Sequence, residues 1–63
     1  MSANNAIFIN TKTFKVYEHC CMDNDFKENE AFFVGEGKDS EDAVKISEDY
    51  QQTNIVEYGT HFF

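Results

Sequence analysis

Apolar residues recur at helical spacing in one stretch of this chain. Ala43, Ile46 and Tyr50 stand at i, i+3 and i+7, and Val44 widens the stripe. Glu41, Lys45, Glu48 and Asp49 fall largely outside it. The pattern predicts an amphipathic helix over roughly residues 40–51. Asp39 is its expected N-cap, because its carboxylate can accept from the free N–H groups of the first turn. Asp42, three residues on, stands where a capping box carries Glu or Gln. Glu41 and Asp42 also lie near the positive end of the helix dipole.

The rest of the apolar pattern has a period of two or comes in short runs. Residues 6–9 (AIFI) predict a short strand, and residues 10–13 (NTKT) are a polar break of hairpin length. Residues 14–20 (FKVYEHC) alternate, with Phe14, Val16 and Glu18 on one side and Lys15, Tyr17 and His19 on the other. One unbroken strand over residues 6–20 fits the periodicity as well. Residues 22–30 (MDNDFKENE) read as a loop. Residues 31–35 (AFFVG) predict a strand that runs straight into the helix through Gly35-Glu36-Gly37, where glycine permits positive φ in a tight turn. Residues 51–54 (QQTN) connect to a last strand over residues 55–63 (IVEYGTHFF), with Gly59 as a bulge or weak point. There Val56, Tyr58, Thr60 and Phe62 share one side.

These elements imply an α+β domain spanning residues 1–63. Its expected architecture is a three- or four-stranded, mainly antiparallel sheet with one helix packed on one face, in the order ββ(β)αβ. Phe14, Val16, Phe32, Val34, Ile46, Tyr50 and Val56 are the expected core. One helix covers only one face of a sheet. Strand residues of both parities are nonetheless large and apolar, Phe8, Tyr17 and Phe33 as well as Ile7, Phe14 and Phe32. The second face therefore either keeps exposed aromatics, which suits a dimer or a partner surface, or is covered by loops that fold back.

Composition sharpens this reading. A chain of 63 residues buries only about 60% of its unfolded surface. Seven Phe and three Tyr offset that, since each aromatic buries a large area. Twelve acidic residues face five basic ones, all lysine, for a net charge of −7. Such a chain is repelled by nucleic acid and by anionic membranes and is drawn to basic surfaces. The aromatic content argues against disorder. Cys20 and Cys21 are adjacent, a spacing that does not suit a relaxed disulfide, and two cysteines make no disulfide scaffold. Reduced thiols in the cytoplasm are expected. The N-terminal residues carry no signal-peptide pattern, and no window reaches the roughly 18 apolar residues of a membrane span.

Candidate chemistry falls short at each point. Gly35-Glu36-Gly37 before a helix suggests a phosphate loop, but Glu36, Asp39, Glu41 and Asp42 surround it and the spacing lacks the full motif. Asp23-Asn24-Asp25 opens like a calcium loop. Lys27 and Glu28 then occupy a ligand position and the turn-glycine position, and Val34 replaces the closing Glu. His19, Cys20 and Cys21 are consecutive, with His61 distant, and consecutive strand residues point to opposite faces, so they do not converge on zinc. The same geometry argues against Cys–His catalysis, and Cys20 has no basic neighbourhood to lower its pKa. No enzyme, metal or cofactor is expected.

The charge remains. Asp23, Asp25, Glu28 and Glu30 on the loop and Glu41, Asp42, Glu48 and Asp49 on the helix are the candidate partner-binding residues, expected to be exposed and to form one negative surface. Carboxylates fixed on a rigid fold can imitate a phosphate backbone and occupy a basic channel, through steering and counterion release. In size, acidity, layout and lack of a catalytic motif, the chain resembles the small inhibitors encoded by phages and other mobile elements, such as anti-CRISPR proteins and DNA mimics. Residues 31–50 (AFFVGEGKDSEDAVKISEDY) are similar to the strand-then-helix unit of several of them. The resemblance implies a stoichiometric inhibitor that binds a basic surface of a host defence protein or nuclease, without touching nucleic acid itself. The alternative is a small assembly module that forms a homodimer through an aromatic sheet face.

Overall fold

The structure is a computed structural model that describes residues 5–20 and 26–63. Its elements are β1 (Asn5–Ile9), β2 (Lys15–Cys20), a 3₁₀ turn (Glu28–Glu30), β3 (Phe32–Glu36), α1 (Ser40–Thr53) and β4 (Thr60–Phe62). The fold is α+β, with one helix packed on a four-stranded sheet of order β3-β2-β1-β4. β1 pairs antiparallel with β2, and β2 with β3. β4 pairs parallel with β1, so the sheet is mixed. The helix is the cause. It carries the chain from the β3 edge over β2 and β1 to the far edge, and a strand entered through such a crossover arrives parallel.

Residues 6–20 form a hairpin rather than one strand. Asn10 organises its turn: its side-chain oxygen accepts from the N–H groups of Lys12 at 2.8 Å and Thr13 at 3.1 Å. The Phe14 N–H donates to the Asn10 carbonyl at 2.8 Å. This geometry holds Phe14 at φ 61°, in the left-handed region.

The core lies between the helix and the sheet. Ile7, Ile9, Val16 and Ala43 are buried at its centre, and Phe14, Val34, Val44, Ile46, Tyr50 and Val56 pack against them. Phe32 does not join the expected core and stays 63% exposed. It lies opposite Glu18 at the start of an edge strand, while the helix leaves β3 in the direction of β4. A register shift between Val16 and Tyr17 places Val34 as an extra residue and turns it to the core. Ser47, fully buried, is satisfied by the Thr60 hydroxyl at 2.7 Å and the Gln51 amide at 3.0 Å, which pins the helix to β4.

The last strand is shorter than its alternation suggests. Gly59 adopts φ +72° and ends a turn, and β4 begins only at Thr60. Val56 reaches the core, but Tyr58 and Phe62, expected beside it, are 47% and 56% exposed. Gly35 and Gly37 do not take positive φ; Gly59 is the glycine that does. Gly37 is required for closeness instead: a Cβ there would lie 2.6 Å from the Ala43 backbone nitrogen.

Loop residues fold back over the other face of the sheet. Phe26 stacks on Phe8 with ring centroids 4.4 Å apart, and it also touches Tyr17, His19 and Phe63. His61 stacks on Phe8 and Phe33 edges onto Tyr17. The coverage is partial, with Phe33 52% and Phe63 41% exposed.

Candidate acidic interaction surface

The helix carries its acids because its sequence splits cleanly between two faces. Ala43 and Ser47 are buried and Ile46 and Tyr50 half-buried on the inner face. Glu41, Lys45, Glu48, Asp49 and Gln52 are exposed on the outer face. The start of the helix is fixed by Asp39, whose backbone is extended and whose carboxylate accepts from the Asp42 N–H at 2.8 Å. Asp42 answers by accepting from the Lys38 N–H at 2.9 Å. That is a capping box displaced by one residue, since the ordinary box returns to the cap's own N–H.

The structure separates the expected charged residues into those the fold uses and those it leaves free. The side chains of Glu41, Glu48 and Asp49 are exposed and outside every hydrogen bond and ion pair of the described residues. Asp42 is half-buried and holds the helix start, so it is not spare. Glu28 is also half-buried, not an exposed loop residue. It accepts from the Tyr17 hydroxyl at 2.6 Å and from the Asn10 amide at 3.3 Å. Glu30, two residues on, is exposed. Asp23 and Asp25 lie outside the described residues, as does Cys21; Cys20 is half-buried at the end of β2.

The helix acids and the Glu28–Glu30 turn sit on opposite sides of the sheet. Val16 points to the helix and Tyr17, next along the strand, points away. Glu28 binds Tyr17 and therefore belongs to the face away from the helix. The helix carboxylates and the Glu28–Glu30 turn do not make one continuous surface.

Two tyrosine–carboxylate pairs, one on each face, hold the layers together. Glu18, under the helix, accepts from the Tyr50 hydroxyl and from the Asn5 amide at 2.8 Å. The bond to Glu18, with burial, pushes the Tyr50 hydroxyl up to about 12. Burial, with the Glu28 bond and the nearby charges of Glu28 and Glu36, pushes Tyr17 up to about 12. Phenolate formation would place a second negative charge against each carboxylate. The structural duty of Glu18 was half legible: its parity puts it among core-facing residues, where an acid needs a partner. Glu36 was missed as an exposed carboxylate on the sheet edge.

Among the described residues, no three His, Cys, Asp or Glu side chains are grouped to hold a metal ion. The depression at the helix start is shallow and lined by Lys38, Asp39, Glu41, Asp42 and Lys45. No helix of the described residues is long and apolar enough to cross a membrane. Neither a family model, nor a curated protein, nor a solved structure matches this chain.

Proposed function

We propose that this protein is a non-enzymatic acidic binding protein, a stoichiometric inhibitor of a nucleic-acid-binding protein such as a host defence protein or nuclease. The observation that carries this reading is the outer face of α1. Glu41, Glu48 and Asp49 are held on a capped helix, exposed, and unused by the fold. Fixed charges of one sign attract a basic surface without first being ordered. Lys45 stands among them and tempers the field, so the partner reads a pattern of charges rather than a uniform one.

The test is capture of a partner from the native host, followed by its affinity at low and high salt. Wild type should bind more weakly as salt rises, and Glu48→Lys with Asp49→Lys should weaken binding at low salt. Unchanged affinity in all four conditions would exclude the charge-guided reading. A second reading, an assembly module forming a homodimer, draws on Phe33 and Phe63, half-exposed on the face away from the helix. Burial of aromatics responds little to salt compared with ion pairing, so salt-insensitive self-association would favour it.

A further inference from the structure

We propose that the outer edge of β3 is a docking site for an extended, basic segment of a partner protein, which joins the sheet as a fifth strand. β3 is an edge strand: it pairs with β2 and with no other strand among the described residues. The opposite edge is β4, which has only three residues, so β3 offers the longer run of backbone. Phe32 and Phe33 are 63% and 52% exposed, on opposite faces of the same edge. Phe32 lies across from Glu18 on the helix side, and Phe33 across from Tyr17 on the aromatic side. Large apolar side chains exposed on both faces of one edge are both covered by a single added strand, whose alternating side chains fall beside each.

Charge selects the occupant. From Glu28 to Gly37 the chain reads ENEAFFVGEG, with no cation; Glu28 is held by Tyr17, which leaves two carboxylates at this edge, the second with Lys15 across from it on β2. Glu30 and Glu36 bracket the two phenylalanines and both are exposed. A second copy of β3, paired antiparallel about Phe33, would bring each Glu36 toward the other copy's 3₁₀ turn, which carries Glu30 just before the strand, and like charges brought together in this way are destabilising. A strand with apolar residues at its centre and Lys or Arg at its ends meets both acids favourably. Self-pairing is therefore disfavoured and a basic strand favoured, on a surface separate from the outer face of α1.

The probes are two synthetic peptides, KTVTVTK and ETVTVTE, titrated into the isotopically labelled full chain and followed by amide NMR. The basic peptide should shift and saturate the amides of Phe32–Glu36 and bind on the order of tenfold tighter than the acidic one, from two end pairs changed from repulsive to attractive. Glu30→Lys with Glu36→Lys should reverse that order; its spectrum in the absence of peptide checks that it folds. At physiological salt, Glu48→Lys with Asp49→Lys should leave the preference for the basic peptide at β3 unchanged, so failure of the helix-face reading and failure of this one are told apart. Shifts confined to α1, equal binding of the two peptides, or concentration-dependent β3 shifts without peptide would each overturn the proposal, the last by making a second copy the occupant.

Discussion

Phe14 carries two opposed duties. Its ring packs on the core, while its backbone sits at φ 61°, where a Cβ crowds the following carbonyl at a cost of roughly 1–2 kcal/mol. Phe14→Ala forfeits the ring contacts and keeps the strain. Phe14→Gly forfeits the same contacts and relieves it. Both variants should be less stable than wild type, but the glycine variant should exceed the alanine variant by about 1 kcal/mol, the reverse of their usual order in regular structure. Urea midpoints decide it, and alanine equal to glycine would mean that the turn relaxes to negative φ. Tyr17 and Tyr50 make the stability of the fold sensitive to alkaline pH. Their hydroxyls ionise at about 12 in the folded chain against an ordinary value near 10.0. A raised folded-state pKa favours the protonated form, so this stabilisation is complete below about pH 10 and is lost as pH rises through about 12. The melting temperature should fall across that window. Tyr50→Phe removes one of the two groups and should fall less steeply; parallel curves would show that Tyr50 is not coupled to Glu18 as the structure has it.

The strand–turn–helix joint tests whether glycine is needed there for closeness. A Cβ on Gly37 would meet the Ala43 nitrogen at 2.6 Å and its Cα at 3.0 Å. Both are backbone atoms of a capped helix and cannot step aside. A Cβ on Gly35 would meet only the Ile46 side chain, at 3.3 Å. Gly37→Ala should therefore cost about 1–3 kcal/mol, the range of forced overpacking, and Gly35→Ala distinctly less; equal costs would contradict the close approach. Asp39→Ala should cost on the order of 1 kcal/mol, since the Asp42 N–H loses its acceptor. The helix was legible because its cap and its apolar spacing are local properties, as were β1 from its short apolar run and β2 from its alternation. Phe32 was not, because parity names the side of a sheet and not the stretch that a crossing helix covers. Residues 55–59 alternate as a strand would, yet Gly59 takes positive φ and turns the chain just before β4. The joint's glycines were recognised but given the wrong cause, since sequence shows where a side chain is missing and not what stands in its place. At the candidate surface, the free acids of α1 followed from the helix stripe. The engagement of Glu28 and Asp42 depends on tertiary partners, Tyr17 and the Lys38 amide, that no spacing reveals.

At the scale of the whole molecule, the placement of charge on two faces makes binding depend on salt in a way that locates the partner. The described structure measures 29 × 25 × 14 Å, and the sheet separates the helix carboxylates from the turn that carries Glu30. Screening falls off over about 8 Å at physiological ionic strength and about 30 Å at 0.01 M. A basic partner docked on the outer face of α1 should then feel Glu41, Glu48 and Asp49 at either salt concentration, but Glu30 only when screening is weak. The expected result is that Glu48→Lys with Asp49→Lys slows association at both ionic strengths, because reversed charges at a docking face act first on the encounter rate. Glu30→Lys should slow association with such a partner at 0.01 M and leave it nearly unchanged at physiological salt. Neither variant should shift the melting temperature much, since exposed charges rarely contribute more than about 1 kcal/mol. Asp42→Lys should lower it, because that carboxylate closes the helix start. Stopped-flow association with the captured partner at the two ionic strengths reads out the pattern. If Glu30→Lys matters as much as the double reversal at physiological salt, the partner contacts the face away from the helix, and α1 is not the primary docking surface.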